Sequence, residues 1–354
     1  MTMRVSLGSP RIAAGLAAGV SLAIMAGCGP ANPPAQQGGS AAPGPAGAPA
    51  GFKVALVTSG SRSDGGWNAG AFKGLDEVKN ALGLTDADVA SIDNQKAAGQ
   101  EEESLRAFAA KKYNMVIGHG FEYDEIAHKI EKDYPDTLFV ISSGAKTGAH
   151  VTPIVLQLED GAYLEGMLAA GMSKTGKLAE VGADEIPPVK SVFAAFEKGA
   201  RAVKPGIVIL HPVYTGDWED PVKAKQATIP LLDQGADVVI QDLDSAAQGV
   251  FNAVQDANKQ GKTIYALGTN KDQNGMAPDV VLASAPIDIG KAFVPIAKEA
   301  RAGTFKPSDK PWDMKSGVIG FVYNPQLEPK APADLKAKIE AARAKIVDGS
   351  LKTK

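Results

Sequence analysis

Short apolar segments rich in valine and isoleucine alternate along the chain with longer segments of helical periodicity. In the first helical segment, 67–82, the residues Trp67, Ala71, Leu75 and Val78 recur every three or four positions. The apolar segments are 52–58, 114–118, 137–142, 207–210, 236–241, 263–268, 279–285 and 316–323. The other helical segments are 100–112, 122–134, 160–172, 190–204, 221–234, 245–260 and 288–302. Because strands buried on both faces read as continuous apolar runs between helices, the pattern predicts parallel sheets in an α/β fold.

The strand–helix series runs twice, which predicts two doubly wound, Rossmann-like lobes joined by a hinge of several strands. After Asn274 only one helical segment follows, too little for a third domain, so we expect it to return to the first lobe. The expected boundaries are 52–157 plus 276–316 for lobe 1 and 158–275 plus 317–354 for lobe 2. Ligands of such sheets bind at the carboxyl ends of the strands, so the cleft between the lobes is the expected site.

The first 50 residues lack this pattern. An apolar run at 12–25 is shorter than the roughly 20 residues that a bilayer span needs, and it matches the apolar region of an export signal. It leads to Cys28, the only cysteine, which follows two small residues as in a bacterial lipobox. We therefore expect a lipoprotein signal peptide over 1–27 and a lipid on Cys28 that anchors the chain to the cell membrane, facing the periplasm or the cell exterior. Proline, glycine and alanine dominate 28–51, which predicts a disordered tether.

Composition excludes several classes of function. The net charge of −3, from 37 basic and 40 acidic residues, argues against nucleic-acid binding, which needs a clear basic excess. The four histidines show no metal-ligand spacing and no serine stands in a G-x-S-x-G elbow, so we expect no metal, no cofactor and no enzyme. A lipoprotein hydrolase that uses the acidic pair Asp242 and Asp244 stays open as a weaker alternative.

Aromatic and polar residues gather where the predicted strands end. The loop after the first strand carries Ser59, Asp64, Trp67 and Asn68, and the loop after 114–118 carries Phe121 and Tyr123. In the second half, Asp217 and Trp218 follow 207–210, Asp242 follows 236–241, and Asn270 follows 263–268. Aromatic faces on both sides of a cleft can sandwich a flat ligand, while carboxylates and amides orient it. These ten residues are therefore the predicted ligand-binding set.

Five segments together resemble the basic membrane protein family. They are "SDGGWNAGAFKGL", "VIGHGFEYDEIAHKIEKDYPDTLFV", "YTGDWEDPVKAKQAT", "GADVVIQDLDSAAQGV" and "YALGTNKDQN", and the match spans 52–325. The resemblance implies a type I periplasmic binding protein fold and a receptor lipoprotein of an ABC importer, of the kind that binds purine nucleosides. It places Trp67 and Asn68 at the family's Phe-Asn pair, Asp64 at the aspartate before it, and Trp218 as the stacking group of the second lobe.

The chain departs from that family pattern at three positions. Where the nucleoside receptors carry an aspartate, an aspartate and a lysine, this sequence has Thr58, Asn270 and Pro286. In the family those charged groups read the base and the ribose, so their replacement widens the set of expected ligands. Purine nucleosides come first because of the family resemblance, and free bases, flavin-like rings, sugars and polyols follow. The expected protein is a monomer that captures such a small molecule and delivers it to an ABC permease. A sensor or chemoreceptor partner with the same clamp is the alternative function.

Overall fold

The computed structural model describes residues 51–354, so the predicted signal peptide at 1–27, Cys28 and nearly all of the predicted tether lie outside the described residues. The strands are β1 Val54–Thr58, β2 Val89–Ile92, β3 Met115–His119, β4 Leu138–Ser142, β5 Val151–Leu156, β6 Lys177–Gly182, β7 Val208–Ile209, β8 Val213–Tyr214, β9 Val238–Asp242, β10 Tyr265–Asn270, β11 Val281–Pro286, β12 Pro311–Trp312 and β13 Val322–Tyr323. The helices are α1 Trp67–Leu82, α2 Gln100–Ala110, α3 Tyr123–Ile130, α4 Glu159–Met172, α5 Pro187–Val203, α6 Pro221–Asp233, α7 Ala247–Lys259, α8 Gly290–Arg301 and α9 Ala333–Val347.

The first lobe is built on a six-stranded parallel sheet in the order β12-β5-β4-β3-β1-β2. All five residues of β1 are buried, because Leu56 faces α1 and α8 while Val57 faces α2 and α3. Both faces of the sheet are thus covered by helices, which explains why its strands read as unbroken apolar runs.

The second lobe is built on a seven-stranded sheet whose main path is β13-β11-β10-β9-β6-β7, with β8 also paired to β6. All pairs are parallel except that of β11 with β13. Helices α4, α5 and α9 cover one face and α6 and α7 cover the other. The doubly wound fold predicted from the sequence is present in both lobes.

Helices α4 and α5 lie in direct backbone contact. A Cβ added to Gly166 would lie 1.9 Å from the carbonyl oxygen of Phe196, and one added to Gly199 would lie 1.9 Å from that of Tyr163. Real side chains cannot make such contacts, so glycine is required at both positions for the helices to approach this closely. The two glycines thus let α4, which is buried over almost its whole length, pack directly against α5.

The chain crosses between the two sheets three times, after β5, after β11 and after β12. The predicted assignment of 276–316 to the first lobe is wrong in part, because β11 pairs with β10 and β13 in the second sheet. The chain returns to the first lobe only at α8, which packs against α1. Where two crossing segments meet, Ile287 and Ile319 form an isolated antiparallel bridge.

Other boundaries also differ from the sequence expectation. The predicted strand 316–323 is a strand only at Val322–Tyr323, and the C-terminal helix α9 was not predicted at all. Helix α5 begins earlier than expected, at Pro187, since two consecutive prolines occupy its first turn, where their missing N–H groups remove no helical hydrogen bond. Within residues 51–354 no helix combines the length and apolar character needed to cross a bilayer.

Candidate ligand-binding cleft

The carboxyl ends of both parallel sheets open into one cavity of about 470 Å³ between the lobes. Its lining includes seven of the ten predicted ligand-binding residues, namely Ser59, Trp67, Phe121, Asp217, Trp218, Asp242 and Asn270. The remaining lining residues are Gly60, Lys96, Glu101, Gly120, Glu122, Ser143, Leu158, Asp184, Ile186, Pro188, Val189, Gly216, Glu219 and Asp244. A cavity of this size holds a small organic solute.

Trp67 is the first residue of α1 and forms part of the wall contributed by the first lobe. Its indole stacks on the imidazole of His119, with ring centroids 4.1 Å apart and planes inclined by 23°. The imidazole therefore covers one face of the indole and fixes its orientation. The half-buried indole is held in place by a ring behind it, while it still reaches the cavity.

His119 ends β3 and is almost completely buried, 1% exposed. Burial lowers the pKa of His119 to about 3, so the ring is neutral at physiological pH. Its Nε2 lies 3.1 Å from the carbonyl oxygen of Trp67 and its Nδ1 lies 2.8 Å from Oγ of Ser142. Since a carbonyl can only accept, the single proton of the neutral ring is on Nε2 and the hydroxyl of Ser142 donates to Nδ1. His119 is not among the ten predicted ligand-binding residues; its part is to hold Trp67.

Trp218 forms part of the wall contributed by the second lobe. Its indole Nε1 donates to Oδ2 of Asp184 over 2.6 Å, and its ring packs against the apolar clusters on both faces of the second sheet. The backbone carbonyl of Trp218 accepts from the N–H groups of Asp244 and Ala246, which ties the loop to the end of β9. Both the ring and its loop are therefore held in place by contacts within the protein.

Asp64 and Asn68 do not line the cavity, so their prediction as ligand contacts is not supported by the geometry. Asp64 caps the start of α1 instead: its carboxylate accepts from the backbone N–H groups of Gly66, Asn68 and Ala69 over 2.8 to 2.9 Å. Such a carboxylate satisfies helix N–H groups that otherwise have no partner. Asp64 therefore shapes the loop that carries Trp67.

Asn68 links the two lobes. Its Nδ2 donates to Asp64 over 2.9 Å within the first lobe and to Oδ2 of Asp244 over 3.2 Å in the second lobe. Lys96 and Glu219 form a second link, with Nζ and Oε2 2.7 Å apart. The structure is therefore a closed arrangement of the lobes, stabilised at the rim of the cavity by contacts between side chains.

Asp242 and Asn270 lie side by side at the ends of β9 and β10. The amide Nδ2 of Asn270 donates to Oδ1 of Asp242 over 3.1 Å, and Asn270 takes a left-handed backbone with φ of 65°. Burial raises the pKa of Asp242 to about 6, partly offset by this hydrogen bond. Burial and the nearby charges of Asp64 and Asp242 also raise the pKa of Asp244. The floor of the cavity thus carries buried carboxyl groups, those of Asp242 and Asp244, that are largely shielded from water.

Tyr123 is a wrong prediction. Its side chain is fully buried in the core of the first lobe, under α3, and does not reach the cavity. It is the first residue of α3 and is turned into the core, while Phe121, in the turn before that helix, stays 37% exposed at the cavity wall. Asp217 does line the cavity, but its carboxylate already accepts from the N–H groups of Glu219 and Asp220 and pairs with Lys223.

A family model described as the PnrA-like substrate-binding protein of ABC transporters matches residues 52–351. The chain belongs to this family. The resemblance inferred from the sequence is therefore confirmed, and PnrA-like proteins capture small molecules outside the cytoplasm for an ABC permease.

Individual PnrA-like relatives and solved structures agree with the assignment. A purine-binding protein of Brucella abortus is 28% identical, with 85% of this chain and 82% of that protein covered. The transcriptional activator protein med of Bacillus subtilis is 29% identical over 75% of this chain and 80% of its own. An ABC transporter solute-binding protein from Aeropyrum pernix K1 superposes with a TM-score of 0.76 at 22% identity, covering 85% and 92% of the two chains, which confirms the predicted fold class.

The three departures from the nucleoside-receptor pattern have structural roles here. The hydroxyl of Thr58 donates to the carbonyl of Gly60 over 2.9 Å and closes the loop after β1. Asn270 orients Asp242, as described above. Pro286 ends β11, where its ring lies against Gly320 in a neighbouring crossing segment. Among residues 51–354 there is no cluster of three or more histidine, cysteine, aspartate or glutamate side chains placed to hold a metal ion.

Proposed function

We propose that this protein captures a purine nucleoside, or a related planar and hydroxylated solute, and presents it to its permease in the closed form. The observation that carries the proposal is that each lobe contributes one fixed indole, Trp67 or Trp218, to the wall of a single cavity. Stacking on such rings suits any flat heterocycle, and is worth about 1–3 kcal/mol for a nucleobase. The name of the purine-binding relative from Brucella abortus supports the same class of ligand.

The charged side chains that line the cavity narrow the class of ligand further. Seven carboxyl side chains and one lysine line the cavity, and that lysine, Lys96, is already paired with Glu219. An anionic ligand would meet like charges, whereas a hydroxylated or amino-bearing ligand offers the hydrogen-bond donors that carboxylates accept. The site therefore favours nucleosides and bases over nucleotides.

The test is a thermal-shift screen of the purified protein over nucleosides, free bases, flavin-like vitamins, sugars and nucleotides, followed by calorimetric titration. A ligand at 100 times its dissociation constant adds about 2.7 kcal/mol to the free energy of unfolding, enough to be seen. We expect adenosine, inosine or guanosine to stabilise the protein and adenosine monophosphate to have no effect. Stabilisation by sugars alone would refute the proposal.

The stacking geometry is tested by Trp67→Ala and Trp218→Ala. Each should weaken nucleoside binding about 5- to 150-fold, the loss expected for one base–aromatic contact. Trp312→Ala is the matched control, because Trp312 lies in β12 of the first lobe and does not line the cavity. Unchanged affinity in both cavity variants would exclude the sandwich.

A role in signalling is the second candidate, favoured by the similarity to the transcriptional activator med. The two roles differ in what the closed form binds. Deletion of the chain should abolish nucleoside uptake if it serves a permease, whereas a sensor mutant would keep uptake and lose a transcriptional response. Uptake of radiolabelled nucleoside by the deletion strain separates them.

Membrane attachment through Cys28 and a monomeric state complete the proposal. Cys28→Ala should release the protein from the membrane fraction and abolish labelling with a radioactive fatty acid, while nucleoside binding is kept. Light scattering of the purified 51–354 segment should give the mass of one chain.

A further inference from the structure

A small inner chamber of about 20 Å³ adjoins the main cavity and shares Leu158, Asp242 and Asn270 with its lining. Its polar lining consists of Glu165, Asp242, Thr269 and Asn270, and the rest of its lining is apolar. The volume is about that of one water molecule or one small ion. The chamber is therefore a separate compartment at the inner end of the cleft, too small for the body of a solute.

Glu165 enters this chamber from α4 and is unexplained by the fold. Its side chain is fully buried, 0% exposed, and neither of its carboxylate oxygens has a hydrogen-bond partner among residues 51–354. The hydroxyl of Thr269 also lacks a partner there. Buried polar groups without partners are costly, so their presence around one small space indicates an occupant that bonds to all of them.

The chemistry of the lining defines that occupant. Four oxygen-bearing side chains, two of them carboxyl groups, surround the chamber, and no lysine, arginine or histidine lines it. Burial and the nearby charge of Asp242 raise the pKa of Glu165, so its carboxyl group can ionise only beside a counter-charge, and the residues of the chamber supply none. Oxygen ligands of this kind suit hard cations and ammonium groups, both of which bond to carboxylate and hydroxyl oxygens.

The size of the chamber argues against a divalent ion. Calcium takes six to eight oxygen ligands, and magnesium retains several bound waters in an octahedral arrangement. A space of about 20 Å³ leaves no room for such waters, and one of the two carboxyl groups, that of Asp242, already accepts from Asn270. A single positive charge matches both the space and the one carboxyl group of the chamber, that of Glu165, that has no partner among the described residues.

We propose that the chamber formed by Glu165, Asp242, Thr269 and Asn270 binds one small monovalent cation, either a free ion or the ammonium end of the captured solute. The cation bonds to the carboxylate of Glu165 and the hydroxyl of Thr269, which have no hydrogen-bond partner within residues 51–354. Because the chamber adjoins the main cavity, its occupant also sets the charge that the inner end of the solute meets. A free ion in the chamber is compatible with a nucleoside in the main cavity, whereas an ammonium end would mean that the solute is an amine and not a purine nucleoside.

The test uses the cations themselves as probes. Melting temperatures of the purified protein are measured in sodium, potassium, ammonium, methylammonium and N-methylglucamine chloride at one pH and one ionic strength. An ion present at about ten times its dissociation constant should raise the melting temperature by about 3 °C over the bulky N-methylglucamine. The same series is run on Glu165→Gln, which keeps the volume and removes the charge, and on Asp242→Asn in case the first variant does not fold.

Glu180→Gln is the matched control. Glu180 is also fully buried with both oxygens unpartnered within the described segment, but it lies in β6 and lines neither the chamber nor the main cavity. It should keep the cation response that the chamber variants lose.

The pattern of responses identifies the occupant. A rise with sodium or potassium that disappears in the chamber variants assigns a free ion, and a rise with ammonium and methylammonium alone assigns an amine of the solute. Equal melting temperatures of the wild-type protein in all five salts would overturn the proposal, as would an equal response in wild type and Glu165→Gln.

Discussion

The imidazole behind Trp67 makes the site sensitive to acid in a predictable direction. His119 is buried as a neutral ring whose Nε2 proton is bound to the carbonyl of Trp67. Protonation would place a charge in the core of the first lobe and leave Ser142, which now donates to Nδ1, facing a second donor. We therefore expect acid to destabilise the lobe at the point where the stacking residue is held.

The magnitude follows from the pKa of His119, which burial lowers from the ordinary 6.5 to about 3. Below pH 6.5 His119 binds a proton in the unfolded chain but stays neutral in the folded chain. The contribution of the neutral ring to the free energy of unfolding is therefore complete above pH 6.5 and is lost as the pH falls toward 3. At 1.36 kcal/mol for each pH unit, the loss is about 2 kcal/mol at pH 5 and about 5 kcal/mol in full. For a chain of this size, 2 kcal/mol corresponds to about 4 °C in melting temperature.

The assay compares wild type with His119→Gln, in which a neutral amide replaces the ring. Melting temperatures followed by circular dichroism between pH 8 and pH 5 give two profiles, whose difference isolates His119 because all other titrating groups are common to both. His211→Gln is the control, since His211 is exposed. In parallel, the Cε1 proton resonance of His119, assigned by its absence from the variant, should not move between pH 8 and pH 5.

The gap between the wild-type and His119→Gln melting temperatures should shrink by about 4 °C over that range, while the gap to His211→Gln should not show this change. If the two profiles of the His119 pair run parallel from pH 8 to pH 5, or if the His119 resonance titrates near pH 6.5, the ring is not buried as a neutral donor. The account of how Trp67 is held would then be wrong.

Four further substitutions test the fold and the site. Gly166→Ala would place a Cβ against the backbone of α5 and should lower stability by about 3 kcal/mol or more, whereas Gly70→Ala, on an open face of α1, should raise it by about 0.5–1 kcal/mol; chemical denaturation measures both. Asn68→Ala removes the hydrogen bond to Asp244 and should weaken binding of the ligand found in the screen about tenfold, as the loss of one buried hydrogen bond would predict. Unchanged affinity in titration calorimetry would contradict this. Tyr123→Phe deletes a buried hydroxyl without a partner among the described residues, so melting temperature should stay the same or rise and affinity should not change; a loss of affinity would return Tyr123 to the site.

The fold was readable from the sequence because its main signal is local. Parallel strands covered on both faces must be apolar throughout, and each buried run such as 54–58 shows this without any tertiary information. The sheet that a late strand joins is not set by local sequence. Strand β11 lies between β10 and β13 because the chain crosses to the first lobe only after β11, and the residues 281–286 do not indicate where that crossing falls. Helix α9 was missed although Leu335, Ile339, Ala342 and Ile346 recur with helical spacing and are buried.

The site was readable in part for the same reason. Strand ends converge on the cleft, so residues such as Trp67, Trp218 and Asp242 could be placed there by counting from predicted strands. Phe121 lies in the turn before α3 and Tyr123 begins that helix, and the sequence alone did not show which of the two faces the cleft. Glu165 gave no signal, because a glutamate on a helix normally faces water, and only the packing of α4 on all sides shows that this one does not.

Two of the three tryptophans border the cavity, and the third, Trp312, lies in the edge strand β12 and does not line the cavity. The intrinsic fluorescence of the protein is therefore dominated by two indoles whose surroundings change when a ligand binds or the lobes open. A single substitution, Trp312→Phe, leaves a chain in which every emitting indole reports on the cleft. Entry and release of solute can then be followed in real time without attaching any dye.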